Sequence, residues 1–255
     1  MVVSVKKPQE IKILKEGGHR LALVMAELKK YLKPGQTGDK IDKLARSLIL
    51  NYGGKPSFLN YKPPWAPEPF PASLCLSKNE TVVHGLPNKG LLINSGDIVT
   101  LDIGLEYKGL FTDMAETVPI GEVEPRLKYL IRITKEALTK AIKAAKAGNH
   151  LGDIGFAIED WVKKHHLTVI EDLVGHGVGY TVHEEPAIYN WGEPHRGLKL
   201  ESGMVLAIEP MVTFTNGAVR QLSDGSFVTE NGEPAAHFEH TVLVTKKGGL
   251  VLTKI

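Results

Sequence analysis

"IVTLDIGLEYKGLFTDMAETV", residues 98–118, decides the fold. Val99, Leu101, Ile103 and Leu105 alternate with Thr100, Asp102, Gly104 and Glu106, the period of two that belongs to a strand. With "EYKG" as the turn and Tyr107 and Lys108 at its tip, the stretch folds into a hairpin in which Asp102 faces Asp113 directly. Such cross-strand partners hold their Cβ atoms about 4.5–5.5 Å apart. Asp is disfavoured in strands, so each of the two needs a reason to be there. Carboxylates this close repel, and one keeps its proton unless a cation lies between them. Taken alone, the hairpin is equally compatible with Asp113 in a local turn and Asp102 on a solvated sheet face.

Outward from the hairpin the period changes to that of helices. Ile11, Leu14, Leu21, Val24, Met25, Leu28 and Leu32 share one face between Pro8 and Leu32, until "KPGQTG" stops the run. Ile41, Leu44, Leu48 and Ile49 mark a second helix that ends at Gly53 and Gly54. Beyond the hairpin, Pro125 suits a first helical turn, and Leu127, Leu130, Ile131, Leu138 and Ile142 share a face up to Gly148 and Asn149. A fourth helix carries Ile154, Ile158, Trp161 and Val162 and ends near "KKHH". From Thr168 onward the text is strand-like, most clearly in "MVLAIEPMVTF" and "FEHTVLVT". The order of helices, strands, helices, strands predicts an α+β fold with helices backing an antiparallel sheet, in two halves of similar order. Residues 63–71, "PPWAPEPFP", hold five prolines in nine positions and read as a stiff surface loop, either a connection or the wall of a pocket.

Composition narrows the function classes. A chain of 255 residues with 42% hydrophobic and 24% charged residues is ordinary globular protein, long enough for one large domain or for two fused halves. A formal net charge of +2 gives no field for nucleic acid, so direct nucleic-acid readout is not expected. Cys75 is the only cysteine, which excludes an intrachain disulfide and suits a reducing compartment. "MVVSVKKPQE" has no apolar region behind its charges, and no run approaches the roughly 18 apolar residues of a membrane span. A soluble, cytoplasmic protein is the expectation, with a monomer as the default.

Further acids interrupt apolar text. Glu209 closes "MVLAIE" and Glu239 precedes "HTVLV". A lone buried glutamate more often pairs with Lys or Arg, but two aspartates, two glutamates and His176 together can chelate a pair of divalent ions about 3.5–4 Å apart. Four negative charges balance two dications. Oxygen-rich ligands with one imidazole favour Mn, Fe or Co over a thiolate zinc site. In "LVGHGVGYTVHEEP", residues 173–186, the glycines around His176 permit close packing and unusual backbone angles at a buried ligand. His183 has no role on that argument.

These motifs resemble the pita-bread family of metallopeptidases, and within it the type I methionine aminopeptidases. The resemblance spans nearly the whole chain and rests on "NETVVHGLP" at 79–87, "GDIVTLDIG" at 96–104, "FTDMAETV" at 111–118, "GHGVGYTVHEEP" at 175–186, "AIEPM" at 207–211 and "FEHT" at 238–241. It implies a pita-bread fold with pseudo-two-fold halves. The ligands of two divalent ions, Co, Mn, Fe or Zn, would be Asp102, Asp113, His176, Glu209 and Glu239. It also implies that His84 reaches the substrate's amide, that His183 stabilises the oxyanion, and that Glu209 doubles as a proton shuttle in metal-assisted hydrolysis. The implied substrate is the N-terminal methionine of nascent polypeptides with a small second residue, met near the ribosomal exit. A pocket for methionine is implied at Phe70 and Cys75, with Phe227 nearby.

Two residues depart from the family's pattern: Pro67 stands where an aromatic is often found, and Val182 where phenylalanine is common, which bears on the pocket's shape. "TDMAETV" leans toward the proline-specific members, Xaa-Pro aminopeptidase and prolidase. Those relatives usually carry a large N-terminal domain that this text, catalytic almost from its start, leaves no room for. The stretch between His183 and "IEP" is likewise too short for the type II insertion, and no cysteine-bearing extension precedes it. A non-catalytic binding module of the same fold is the remaining rival. Loss of ligands would be its sign, and all five are present.

Overall fold

A computed structural model of the protein describes residues 3–63 and 68–255. Pro67 and its three preceding neighbours in the proline-rich loop therefore lie outside the described residues. Four helices form where the apolar spacing predicts them: α1 (Pro8–Tyr31), α2 (Gly38–Asn51), α3 (Pro125–Ala144) and α4 (Leu151–Lys164). Proline opens both α1 and α3, at the position where a missing N–H removes no helical bond. Asp153 caps α4 by accepting the His150 backbone N–H at 2.7 Å.

After α2 come β1 (Lys55–Pro56), β2 (Leu74–Lys78), β3 (Thr81–Val83), β4 (Ile98–Tyr107) and β5 (Leu110–Pro119). After α4 follow β6 (Thr168–Val169), β7 (Val174–Gly177), β8 (Glu184–Tyr189), β9 (Val205–Ile208) and β10 (Met211–Thr213). The chain closes with β11 (Val219–Gln221), β12 (Phe227–Thr229), β13 (Ala236–His237), β14 (His240–Thr245) and β15 (Gly248–Val251). Every pairing among these strands is antiparallel.

In the first half, β4 has β5 along one edge, with β2 and then β1 along the other. Leu21, Val24, Met25 and Leu28 of α1 and Ile41, Ala45 and Ile49 of α2 pack with Val99, Leu101, Ile103 and Leu105 of β4 into one core. The second half centres on the five-stranded sheet β15-β14-β9-β7-β8. There Leu130, Ile133 and Ala137 of α3 and Ile154, Ile158 and Val162 of α4 cover Leu206, Ile208, Val242 and Val244. Each Leu, Ile, Val or Met among them contributes about 1.5–3 kcal/mol by leaving water. A helix pair backing an antiparallel sheet thus occurs twice, in the order read from the sequence.

The hairpin itself corrects one expectation. Its turn is Lys108–Gly109, with φ of 51° and 79°, and Tyr107 pairs with Leu110. Two successive positive φ values make the turn type whose twist matches the strands, and glycine adopts the second at no steric cost, so the chain turns there rather than at Tyr107–Lys108. Asp102 therefore pairs with Ala115 and Asp113 with Gly104. The register moves by two residues, which preserves the face: both aspartates still project to the same side, as diagonal neighbours. That side is not solvated, because β4 is buried from Ile98 to Leu105 on both faces. One face meets α1 and α2, and the other meets the second half of the chain.

Candidate metal centre

The two halves are stitched together behind the aspartates. Glu239 N–H donates to Ala115 O at 2.9 Å, and Asp113 N–H donates to Thr241 Oγ1 at 2.8 Å. Thr117 Oγ1 accepts the His237 N–H at 2.8 Å and donates to the His237 carbonyl at 2.9 Å. In the second sheet His240 pairs with Ile208, so Glu239 and Glu209, each one residue beyond a paired strand end, come to lie beside each other. His176 pairs with Ala207 on the opposite edge of β9. Main-chain register thus carries Asp102, Asp113, His176, Glu209 and Glu239 to one place from five separate segments.

Close packing explains the glycines around His176. A Cβ on Gly175 would stand 2.4 Å from Ala207 O, and one on Gly177 would stand 2.3 Å from Glu185 O, so β7 fits between β8 and β9 only without those side chains. The unusual backbone angle falls at Gly179, with φ of 140°. Glu184, beside His183, is engaged elsewhere: its carboxylate meets buried Lys6 at 2.7 Å.

Ligand atoms of Asp113, His176 and Glu239 lie within 4.8 Å of one another, and so do those of Glu209, His237 and Glu239. The two triads share Glu239. His176 Nδ1 lies 2.8 Å from Gly177 O, an acceptor only, so Nδ1 carries a proton, and Nε2 faces Glu209 Oε1, 3.5 Å away. Asp102 is met from the next strand by Cys75, its cross-strand partner and a hydrogen-bond partner of its carboxylate.

All four carboxyls are buried. Burial first, then the charges of Asp102 and Glu209, hold Asp113 well above the usual carboxylate range. Burial and the charges of Asp113, Glu209 and Asp102 do the same to Glu239. Burial pushes Asp102 and Glu209 up to about 7, with Glu209's charge adding to the rise at Asp102. Asp113 Oδ1 and Glu239 Oε1 have no hydrogen-bond partner among the described residues. Buried carboxylate oxygens without a protein donor are costly to ionise, and a dication is the group that reverses that balance. The oxygen-rich, partly imidazole donor set fits divalent transition ions.

The remaining candidate residues border this cluster. The His183 ring stands edge-on to His176 with centroids 4.5 Å apart, and its Nδ1 lies 2.9 Å from the Tyr61 hydroxyl. His84 follows β3 with a φ of 58° and meets Phe227 edge-on at 5.8 Å. Burial and neighbouring histidines lower both imidazoles, His84 to about 4, so each is neutral at pH 7. Phe58, Cys75 and Val182 form a small apolar cluster that Tyr61, Phe70 and Phe111 border. It adjoins the carboxylates through Cys75 and the histidines through Tyr61. Burial and the Asp102 charge push the Cys75 thiol up, so it stays a neutral wall. Phe227 lies apart from that patch, on the His84 side.

Sequence reading missed two residues. Tyr61 sits in "LNYKPP", where nothing marks it. His237 is fully buried, with Nε2 3.2 Å from Glu209 Oε2. Its signal was available: it stands two residues before Glu239, the spacing that places side chains on one face.

Buried carboxylates and imidazoles between two helix-backed antiparallel sheets are the architecture of a metal-dependent hydrolase. Comparison with known proteins makes this specific. The model of Metallopeptidase family M24 matches residues 12–246, and the chain belongs to that family. Methionine aminopeptidase 1 of Bacillus subtilis is 40% identical over 255 residues, covering all of both chains. The crystal structure of a methionine aminopeptidase from Thermotoga maritima superposes with a TM-score of 0.95 at 41% identity, again over all of both chains. An Xaa-Pro dipeptidase from Bacillus anthracis shares the fold, with a TM-score of 0.77 at 23% identity over 98% of this chain and 62% of its own. The pita-bread fold expected from the motifs is therefore the fold of this chain.

Proposed function

We propose that this protein is a methionyl aminopeptidase. It removes the N-terminal methionine of nascent proteins and peptides whose second residue is small, acting as one catalytic unit over residues 1–255. The observation that carries the reading is the pair of ligand triads, Asp113–His176–Glu239 and Glu209–His237–Glu239, which share Glu239, with Asp113 Oδ1 and Glu239 Oε1 left without donors among the described residues. Full-length likeness to relatives named methionine aminopeptidase supports the substrate.

In this reading Asp102, Asp113, His176, Glu209 and Glu239 hold two divalent ions, drawn from Co, Mn, Fe and Zn. Such ions, when bound, lower the pKa of water and polarise the scissile carbonyl. Glu209, set against the imidazoles of His176 and His237, takes the proton of the attacking water and hands it to the leaving amine. His183, held beside Tyr61, stabilises the charge that develops on the carbonyl oxygen, and His84 holds the amide of the next residue. The apolar patch of Phe70, Cys75 and Val182 takes an unbranched, polarisable side chain. The substrate is met in the cytoplasm, at the ribosomal exit. Among the described residues no helix is long and apolar enough to cross a membrane.

The test is a peptide panel with protein loaded with Mn, Fe or Co. Met-Ala-Ser loses its methionine, Met-Leu-Ser is nearly inert and Ala-Pro-Ser survives. Cleavage of Ala-Pro-Ser with Met-Ala-Ser left intact would assign the chain to the proline-specific branch.

A further inference from the structure

We propose that His237 is itself a metal ligand in this chain, supplying Nε2 as a second imidazole donor. The inference rests on the metal-centre reading above and extends it. His237 is 1% exposed, and neither ring nitrogen has a hydrogen-bond partner among the described residues. Nε2 lies 3.2 Å from Glu209 Oε2, and its triad with Glu209 and Glu239 spans no more than 4.8 Å. The ring is not delivered by a loop. Its backbone is clamped from both sides by Thr117 Oγ1, at 2.8 and 2.9 Å, and Thr117 is fixed in turn by Thr100 at 2.8 Å.

An imidazole filling space in a core turns one nitrogen to a donor or acceptor that stays with it. Here the side chain is desolvated and lies against the carboxylates of Glu209 and Glu239, of which Glu239 Oε1 lacks a donor among the described residues, the surroundings of a ligand rather than of a packing residue. The consequence is symmetry of donor type. His176 gives one triad its nitrogen, and His237 gives the other triad the same. A carboxylate-only position suits hard ions, whereas an added imidazole shifts preference toward Co, Ni and Zn over Mn.

The experiment uses the full chain stripped of metal by chelation and then loaded with Co(II). Calorimetry gives stoichiometry and affinities, and proton NMR of the Co(II) protein counts hyperfine-shifted ring N–H resonances. Wild type binds two ions and gives two such resonances, from His176 and His237. His237→Gln gives one, and His237→Ala gives one with at least a tenfold loss in affinity for one Co(II) and a smaller loss for Mn(II). The shifted resonance separates ligation from support, because removing a supporting residue weakens binding without removing a ligand's signal. A single resonance in wild type, or one unchanged by either substitution, overturns the proposal while the metal centre stands. Failure of wild type to bind any divalent ion overturns both.

Discussion

Asp113 and Glu209 are acids that the fold buries with no basic partner among the described residues close enough to form an ion pair, apart from the imidazoles at Glu209. Neutral isosteres keep the shape of each site and remove the charge that a cation needs. Asp113→Asn and Glu209→Gln are therefore expected to fold normally while losing turnover. At Glu209 the loss is on the order of 10²–10⁴-fold, the usual contribution of a positioned acid–base group. Chelated forms of both variants should melt no lower than chelated wild type at pH 8, because each removes like-charge repulsion from the cluster. Rates near wild type in either variant would refute the assigned roles. The acids were legible in sequence because a carboxylate inside apolar, alternating text is an anomaly that local propensity does not explain. His237 carried a weaker mark, its spacing of two from Glu239, which becomes decisive only with its distance to Glu209.

The hairpin shows what period alone delivers and where it stops. Alternation in Ile98–Val118 fixed the face of both aspartates, yet the register followed from the positive φ values at Lys108 and Gly109, which the pattern of apolar residues does not encode. Helices were legible because four long 3.6-residue patterns carry their own punctuation. Short strands such as β2 and β13 were not, because they are held by contacts with distant partners. The element with least tolerance is β7. Gly175→Ala would press a methyl group against Ala207 O and Ile188, displacing the strand that carries His176. Overpacking of this kind costs about 1–3 kcal/mol. Denaturant unfolding should register that loss, and metal affinity should fall with it. A variant of wild-type stability and affinity would show that β7 can move aside freely.

At the scale of the molecule, the two halves meet across four buried carboxyls, which links folding to pH and to metal. Asp102, Asp113, Glu209 and Glu239 all have pKa values raised above the unfolded range near 4. A raised folded pKa contributes stability that is fully present below the unfolded value and is lost as pH climbs through the folded one. Buried His84, His237 and His240 act in the opposite sense. Each is lowered to about 4 by burial, so its contribution is complete above about pH 6.5 and is lost as pH falls through about 4. Between about pH 7.5 and 9 the histidines are neutral in both states, and the carboxyls decide the slope. The chelated protein should therefore lose thermal stability as pH rises across that window. Divalent ions require the ionised carboxylates, so binding at pH 6.5 must release protons, and fewer at pH 8. Calorimetric titration with Co or Mn in two buffers of different ionisation enthalpy measures the release directly. The gain in melting temperature on adding metal should then be larger at pH 8 than at pH 6.5. A chelated protein whose melting temperature is flat or rising across the window would mean that the cluster is ionised without metal, held by charges other than a cation.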